Sequence, residues 1–481
     1  MPDVNWTVIA PELIVAAFAL LVLLIDVLSP HNRGEVSAWV TLIGTAVALT
    51  VAYQQWGNWG YGFNAMVILD KYATFFNVIF LVGTGLTVFI STGYLRREGV
   101  GRGEYYFLIL CATLGMMLMA AGADLVVIFL GVELLSLSLY VLVGFTRTRA
   151  ESNESSLKYL LLGAFATGFL LYGIALIYGA VGTTHLQRIG AALAQHRVEN
   201  LPLLLAGTGL LLVGLGFKVA AVPFHMWAPD VYDGAPTAIT AFLSAGPKAA
   251  GFAALLRVLV SALDSLRPEW SAALWVLAVL TMTVGNLAAI SQHSIKRMLA
   301  YSSIAHAGYI LVALTAMNDQ GIASALFYMF AYTFMNIGAF AVVILVSRQG
   351  EEGLDLRDYA GLAYRNPALA LAMTVFMLSL AGFPPTAGFL GKFYIFGAAV
   401  KAGYVYLPII GVLNSLISVY FYLGVVVNMY MKNPAENALP VAVGPSAAFA
   451  TGLAALATLL IGISPSWCLD LARETVASVL M

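Results

Sequence analysis

From near its first residue to about residue 463, the chain repeats apolar runs roughly 20 residues long. At 1.5 Å of rise per residue, an α-helix made from such a run is as long as the hydrocarbon layer of a bilayer is thick. The pattern predicts fourteen spans, at 6–28, 36–55, 73–95, 104–122, 123–144, 155–180, 201–232, 236–256, 270–290, 298–317, 321–347, 366–399, 403–430 and 440–463. The runs are continuous, whereas the strands of a membrane β-barrel would alternate. Composition agrees: 10% of the residues are charged and 61% hydrophobic, where a soluble domain carries about 25% charged residues. The longest polar stretches, 183–200 and 348–365, are expected to be loops. The expected fold is therefore an all-α integral membrane protein.

Several function classes are excluded at this level. A net charge of −1 gives no basic field for nucleic acid. Two cysteines, Cys111 and Cys468, and six scattered histidines make no disulfide framework and match no haem, iron–sulfur or zinc motif. The first apolar run has no basic residue before it and contains Glu12 and Asp26, which argues against a cleaved signal peptide. Basic residues in loops set orientation. Twelve fall after odd-numbered spans and seven on the other face. That places the odd loops in the cytoplasm and both termini outside.

Charges at membrane depth carry the functional signal, because each costs at least ~2.5–3.5 kcal/mol to insert. Glu133 lies near the centre of span five, in GVELLSLSLY, on one helical stripe with Ser136 and Tyr140. Lys218 lies in segment seven, Lys248 in span eight and Lys392 in segment twelve. A single lysine near a helix end is as readily a snorkelling residue. Four charges on four helices instead point to an ion or proton route. Proline lacks an N–H and clashes with the preceding turn, so Pro223 frees the carbonyl of Val219, Pro247 that of Leu243, and Pro384 and Pro385 those of Leu380 and Ala381. Breaks and charges thus coincide, as expected where backbone lines a hydrated cavity. Segments seven and twelve, each some 32 residues or longer, stand five spans apart. That spacing suits two inverted five-helix repeats, spans four to eight and nine to thirteen, each with a broken helix. The implied units are a three-helix segment (1–103), two repeats (104–260 and 261–432), and a last helix with its tail (433–481).

His225, just past the break in segment seven, and His306, in span ten, are possible relays, with a side-chain pKa near ~6.5 in water. The packing reading of a lone membrane histidine stands beside this one. Lys158, near the start of span six, suits snorkelling and proton delivery equally. Burial favours a neutral amine and a nearby carboxylate favours the ammonium. Glu133 beside Lys218 would therefore form an adjustable pair that passes a proton on towards Lys248.

The stretches GLGFKVAAVPFHMWAPDVYDGAPTAITAFLSAGPKAA, IKRMLAYSSIAHAGY and GFPPTAGFLGKFY resemble the antiporter-like membrane subunits of proton-pumping NADH–quinone oxidoreductase, respiratory complex I. The PFH-x-W-x-PDVY-x-GAP form and Lys392 in segment twelve are similar to its subunit N branch. The M branch usually has a glutamate at the latter position, and the L branch is longer. The resemblance implies fourteen helices with the inverted repeats and broken helices seven and twelve. It implies Glu133 and Lys218 as a first pair, Lys248 as the linking lysine and Lys392 as the release residue, with His225 and His306 on the central axis. It also implies that NADH, FMN, iron–sulfur clusters and quinone are handled by other subunits. The expected partners are neighbouring antiporter-like and small membrane subunits, in a bacterial inner membrane. The Gly-rich run GTGLLLVGLG lies inside a span, where glycine permits close packing and does not cradle a nucleotide. A cation/proton antiporter subunit of the Mrp type is the alternative, and a scaffold without transport a third reading. Three buried lysines to one glutamate suit protons better than sodium, which needs several oxygen ligands.

Overall fold

The computed structural model describes residues 5–28, 33–349, 353–434, 441 and 443–480. The first three spans are α1 (Ala10–Leu28), α2 (Arg33–Gln54) and α3 (Lys71–Glu98). A two-stranded antiparallel hairpin, β1 (Gly60–Gly62) and β2 (Val67–Leu69), lies between α2 and α3. Next come α4 (Gly103–Ala121), α5 (Leu125–Val143), α6 (Ala150–Val181), the short α7 (Leu186–Ala194), α8 (Leu201–Val219), α9 (Trp227–Gly234) and α10 (Thr237–Ser261). The second half holds α11 (Arg267–Ile290), α12 (Ile295–Ala316), α13 (Asp319–Val346), the one-turn α14 (Leu362–Arg365), α15 (Pro367–Ala381), α16 (Ala387–Lys401) and α17 (Tyr406–Met431). It closes with α18 (Pro445–Ile463) and α19 (Ser466–Leu480). Thirteen of the described helices are long and apolar enough to cross a membrane. The remaining expected span is the broken pair α15–α16. The expected start of the last span, at residue 440, lies outside the described residues.

Local chemistry sets the helix ends. Asp70 caps α3 by accepting from the Ala73 amide at 2.7 Å, and Gly99 ends the helix at φ 70°. Asp124 caps α5 and also accepts from Thr184, as suits an interfacial residue outside the buried route. Asn200, Ser294, Asn318 and Asn366 cap α8, α12, α13 and α15. Each satisfies one of the amides that a helix start leaves without a partner. Glycine pairs seat the closest helices. Gly115 on α4 faces Gly131 on α5, Gly173 on α6 faces Gly207 on α8, and on α12 Gly308 meets Met282 of α11. At Gly207 an added Cβ would lie 2.9 Å from the Gly173 carbonyl oxygen, so the Gly-rich run does serve close packing.

Several features depart from the sequence reading. The 183–200 stretch contains α7, which buries Leu186, Ile189 and Leu193. The 348–365 stretch contains a 3-10 turn, Leu356–Tyr359, and α14. The tail after α18 is a helix, α19, packed on α13 and α3: Trp467 meets Phe330 edge-on and Glu474 pairs with Lys71 at 2.8 Å. Arg257, just past the expected end of span eight at residue 256 and so counted among the seven loop cations of that face, sits near the end of α10. It bonds Asp70 through both carboxylate oxygens, at 2.9 and 3.0 Å. Pro247 does not interrupt α10. The most deeply buried helices are α10, α12 and α13, and Lys248 and His306 lie on α10 and α12.

Candidate functional site: a line of buried lysines

Segment twelve breaks where Pro384 and Pro385 remove two amide donors. Helix α15 ends at Gly382, φ 93°, and α16 restarts with the Gly388 amide donating to Ser379 Oγ at 3.0 Å. Lys392, one turn into α16 and 4% exposed, turns back to the break. Its Nζ donates to the carbonyls of Leu380 and Ala381 at 2.9 and 3.0 Å, and to Ser415 Oγ at 2.9 Å. These are the two carbonyls that the proline pair was expected to free. The ammonium also stands 4.7 Å from the centre of the Tyr309 ring, a favourable cation–π distance.

Segment seven breaks after Val219. Ala220 takes a left-handed conformation (φ 58°), and the connection to α9 is fixed from outside by the Val222 amide donating to Thr281 Oγ1 at 2.9 Å. Trp227 Nε1 reaches back to the Phe217 carbonyl at 3.0 Å. Lys218 lies at the end of α8, 4% exposed. Its Nζ donates to Ser136 Oγ at 2.6 Å, and Ser136 donates to the Val132 carbonyl. Glu133 is one turn from Ser136 on α5 and half-buried. Its Oε1 is buried without a hydrogen-bond partner. Among the described residues Glu133 and Lys218 form no ion pair; the serine on the shared stripe takes the lysine.

Lys248, on the unbroken α10, donates to Ser303 Oγ of α12. The Leu243 carbonyl, released by Pro247, is met by the Tyr232 hydroxyl at 3.4 Å. That replacement lets α10 continue through its proline. A cavity of about 10 Å³ lies among Lys248, Ser303, His306 and Tyr332, room for about one water molecule. His306 follows Ser303 by one turn. Its Nδ1 meets the Tyr328 hydroxyl and its Nε2 the Tyr422 hydroxyl, the latter at 3.0 Å. Tyr422 in turn bonds Ser302. Tyr309 touches the His306 ring at 5.5 Å between centroids and lies under Lys392.

The structure thus brings Lys248, His306 and Lys392 into one buried cluster, with no carboxylate bonded to any of them among the described residues. Lys218 approaches it through its stem: a Cβ at Gly251 of α10, one turn from Lys248, would lie 3.3 Å from Lys218 Cβ. Two expected relays lie outside the cluster. His225 is in the connection between α8 and α9, half-buried, with Nδ1 lacking a partner. Lys158 is part-exposed and forms ion pairs with Glu154 and Asp230, each at 2.8 Å, while Asp230 also holds Arg297 at 2.9 Å. Tyr309, Tyr328, Tyr422 and Ser415 were not singled out from sequence as part of the site; for Ser302 and Ser303 the signal was their place one turn before His306. Among the described residues no group of three or more His, Cys, Asp or Glu side chains is placed to hold a metal ion.

Comparison with known proteins points the same way. A family model described as NADH:quinone oxidoreductase/Mrp antiporter, TM, matches residues 121–418. The NADH-quinone oxidoreductase subunit N of Trichlorobacter lovleyi is 54% identical over 473 residues, covering 98% of this chain and 97% of that protein. The subunit N 2 of Roseiflexus castenholzii is 46% identical, covering 99% and 97%. A chain of respiratory complex I from Thermus thermophilus with bound Aureothin superposes with a TM-score of 0.82 at 38% identity, covering 96% of this chain and 99% of its own. A chain of the Mrp complex from Dietzia sp. gives 0.87 at 20% identity, covering 99% and 98%, and so shares the fold.

Proposed function

This chain belongs to the subunit N family of NADH-quinone oxidoreductases, and on that premise we propose that it carries protons across the membrane along its buried lysines. It is a multi-pass subunit of the membrane arm, working beside other membrane subunits while redox chemistry proceeds elsewhere in the complex. In this reading the chain itself holds no redox cofactor. The observation that carries the reading is the bonding of the lysines. Lys218, Lys248 and Lys392 are buried, and each donates to hydroxyls or carbonyls, none to a carboxylate among the described residues. A hydroxyl oxygen bonds an ammonium and, by rotating its hydrogen, a neutral amine equally well. The site therefore fits both protonation states of the lysine.

Between Lys248 and Lys392, His306 is the exchanging group. Its two ring nitrogens each face a tyrosine hydroxyl. A neutral imidazole takes a proton on one nitrogen and releases one from the other. In this reading Lys218 loads near Glu133, Lys248 receives beside the one-water cavity, and Lys392 releases at the break of segment twelve. His225 and Lys158 are assigned supporting places at the edge of the route, Lys158 through its tether to Asp230. The breaks in α8–α9 and α15–α16 support two repeats, 104–260 and 261–432, flanked by the 1–103 segment and the 433–481 end. The loop charges support a bacterial inner-membrane orientation with both termini outside.

The test is Lys218→Arg in the assembled complex. Arginine keeps the charge and the donor but does not release its proton. NADH-driven acidification of membrane vesicles should fall several-fold, with subunit content unchanged. Pumping equal to that of the unsubstituted complex would make Lys218 a structural cation and overturn the reading.

A further inference from the structure

A second recess lies away from the lysine line, where α13 begins and α16 ends, with α19 packed on α13 beside it. Its volume is about 500 Å³, and its lining includes Asp319, Gln320, Tyr394, Lys401, Leu469 and Arg473. The helix positions order these groups by depth. Asp319 is the first residue of α13 and Lys401 the last of α16, so both stand at one end of the bundle, at a membrane–water boundary. Arg473 lies beside Glu474, which pairs with Lys71 at the start of α3, and so reaches the same end. Deeper in the recess are Tyr394, two turns before Lys401, and Leu469, one turn before Arg473. Tyr394 meets Phe327 edge-on, and Phe393 of α16 and Trp467 of α19 are exposed. The recess is polar at its rim and apolar beneath, with the polarity running along the membrane normal.

Its charge favours an anion. Lys401 and Arg473 line it against the single carboxylate of Asp319; Arg473 also leans on Asp470 at 3.3 Å, a contact exposed to water. The lining itself therefore keeps one excess positive charge, which a monoanionic headgroup neutralises. Basic pockets between spans bind anionic lipid headgroups on the cytoplasmic side of membranes; this recess offers the same chemistry to the outer leaflet, and its size lies within the usual range for a ligand site.

We infer that this recess binds an anionic phospholipid, with the phosphate against Lys401 and Arg473 and an acyl chain descending past Tyr394 and Leu469. The bound lipid would add to the apolar packing of α19 on α13 and to its Glu474–Lys71 ion pair.

The experiment uses the intact complex, purified in mild detergent and depleted of lipid. It is titrated with phosphatidylglycerol, and separately with phosphatidylcholine, each carrying a photoreactive acyl chain; cross-linked peptides are then identified by mass spectrometry. Phosphatidylglycerol should label peptides spanning 390–401 and 467–477. Each cation near a headgroup contributes about a five-fold gain in affinity, so Lys401→Gln with Arg473→Gln should weaken labelling about 25-fold at unchanged subunit content. Lys401→Arg should retain it. Equal labelling by phosphatidylcholine, or labelling indifferent to the double substitution, would overturn the inference. So would failure of these peptides to label while a protein cross-linker joins them to a neighbouring subunit, which would make the recess a protein contact.

Discussion

Replacing Lys392 by methionine removes an ammonium and the three hydrogen bonds it donates, to Leu380 and Ala381 carbonyls and to Ser415, at 2.9 to 3.0 Å. The two effects oppose each other. Burying an ammonium costs several kcal/mol, and methionine avoids that cost. The Ala381 carbonyl keeps the Ser415 hydroxyl at 3.2 Å, so the Leu380 carbonyl is the one stranded, at about 1–3 kcal/mol. Assembly of the complex should therefore change little, while the break between α15 and α16 loses its tie. At the lower bound of about 1 kcal/mol, amide exchange through local opening at 382–388 should quicken about five-fold. Exchange measured by mass spectrometry on the intact complex reads this directly, and NADH-driven pumping read in parallel should collapse. Lys392→Arg separates the two roles, since the guanidinium keeps the charge and the donors but not the proton release. Its exchange should stay slow and its pumping should still fail. Unchanged exchange in Lys392→Met would refute the carbonyl tie, and full pumping by Lys392→Arg would refute proton release.

Asp70→Ala leaves Arg257 buried without its carboxylate, a change worth about 3–5 kcal/mol, and should sharply lower the amount of assembled complex; adding Arg257→Met should recover much of it. Orientation is read from the two ends of α17, where Tyr406 and Met431 are 77% and 79% exposed. A cysteine at 406 should react with an impermeant thiol reagent from outside, one at 431 only from the cytoplasm, and the reverse pattern would invert the topology. Gly388 and Gly391 do not suit such labelling, because a Cβ there would lie 1.8 Å from the Ser379 carbonyl oxygen and 2.2 Å from the Tyr328 ring.

Backbone chemistry explains what could be read in advance. Proline removes a donor wherever it stands, so the breaks near Pro223 and at Pro384–Pro385 followed from sequence, as did the freed carbonyls that Lys392 takes. Pro247 followed the same rule, yet its helix continues, because Tyr232 comes from another helix to meet the Leu243 carbonyl. Such a partner has no signature in the local sequence. The same holds for Tyr328 and Tyr422, which reach His306 from 22 and 116 residues away. Helical spacing placed Ser136 on the stripe of Glu133; only the fold, which lets Lys218 reach across from the end of α8, shows that the lysine bonds the serine. Helices α7 and α19 were read as loop and tail because each is short and mixes charged with apolar residues. Their apolar faces have meaning only beside α10 and α13.

The most direct test concerns Lys248, which stands midway along the line beside the one-water cavity. The measurement is protons moved per NADH oxidised in inverted membrane vesicles bearing Lys248→Met, at matched content of assembled complex. If protons cross along the buried lysines, methionine interrupts the line at its centre, and the ratio should fall well below that of the unsubstituted complex. A ratio equal to that of the unsubstituted complex would show that protons cross by another path.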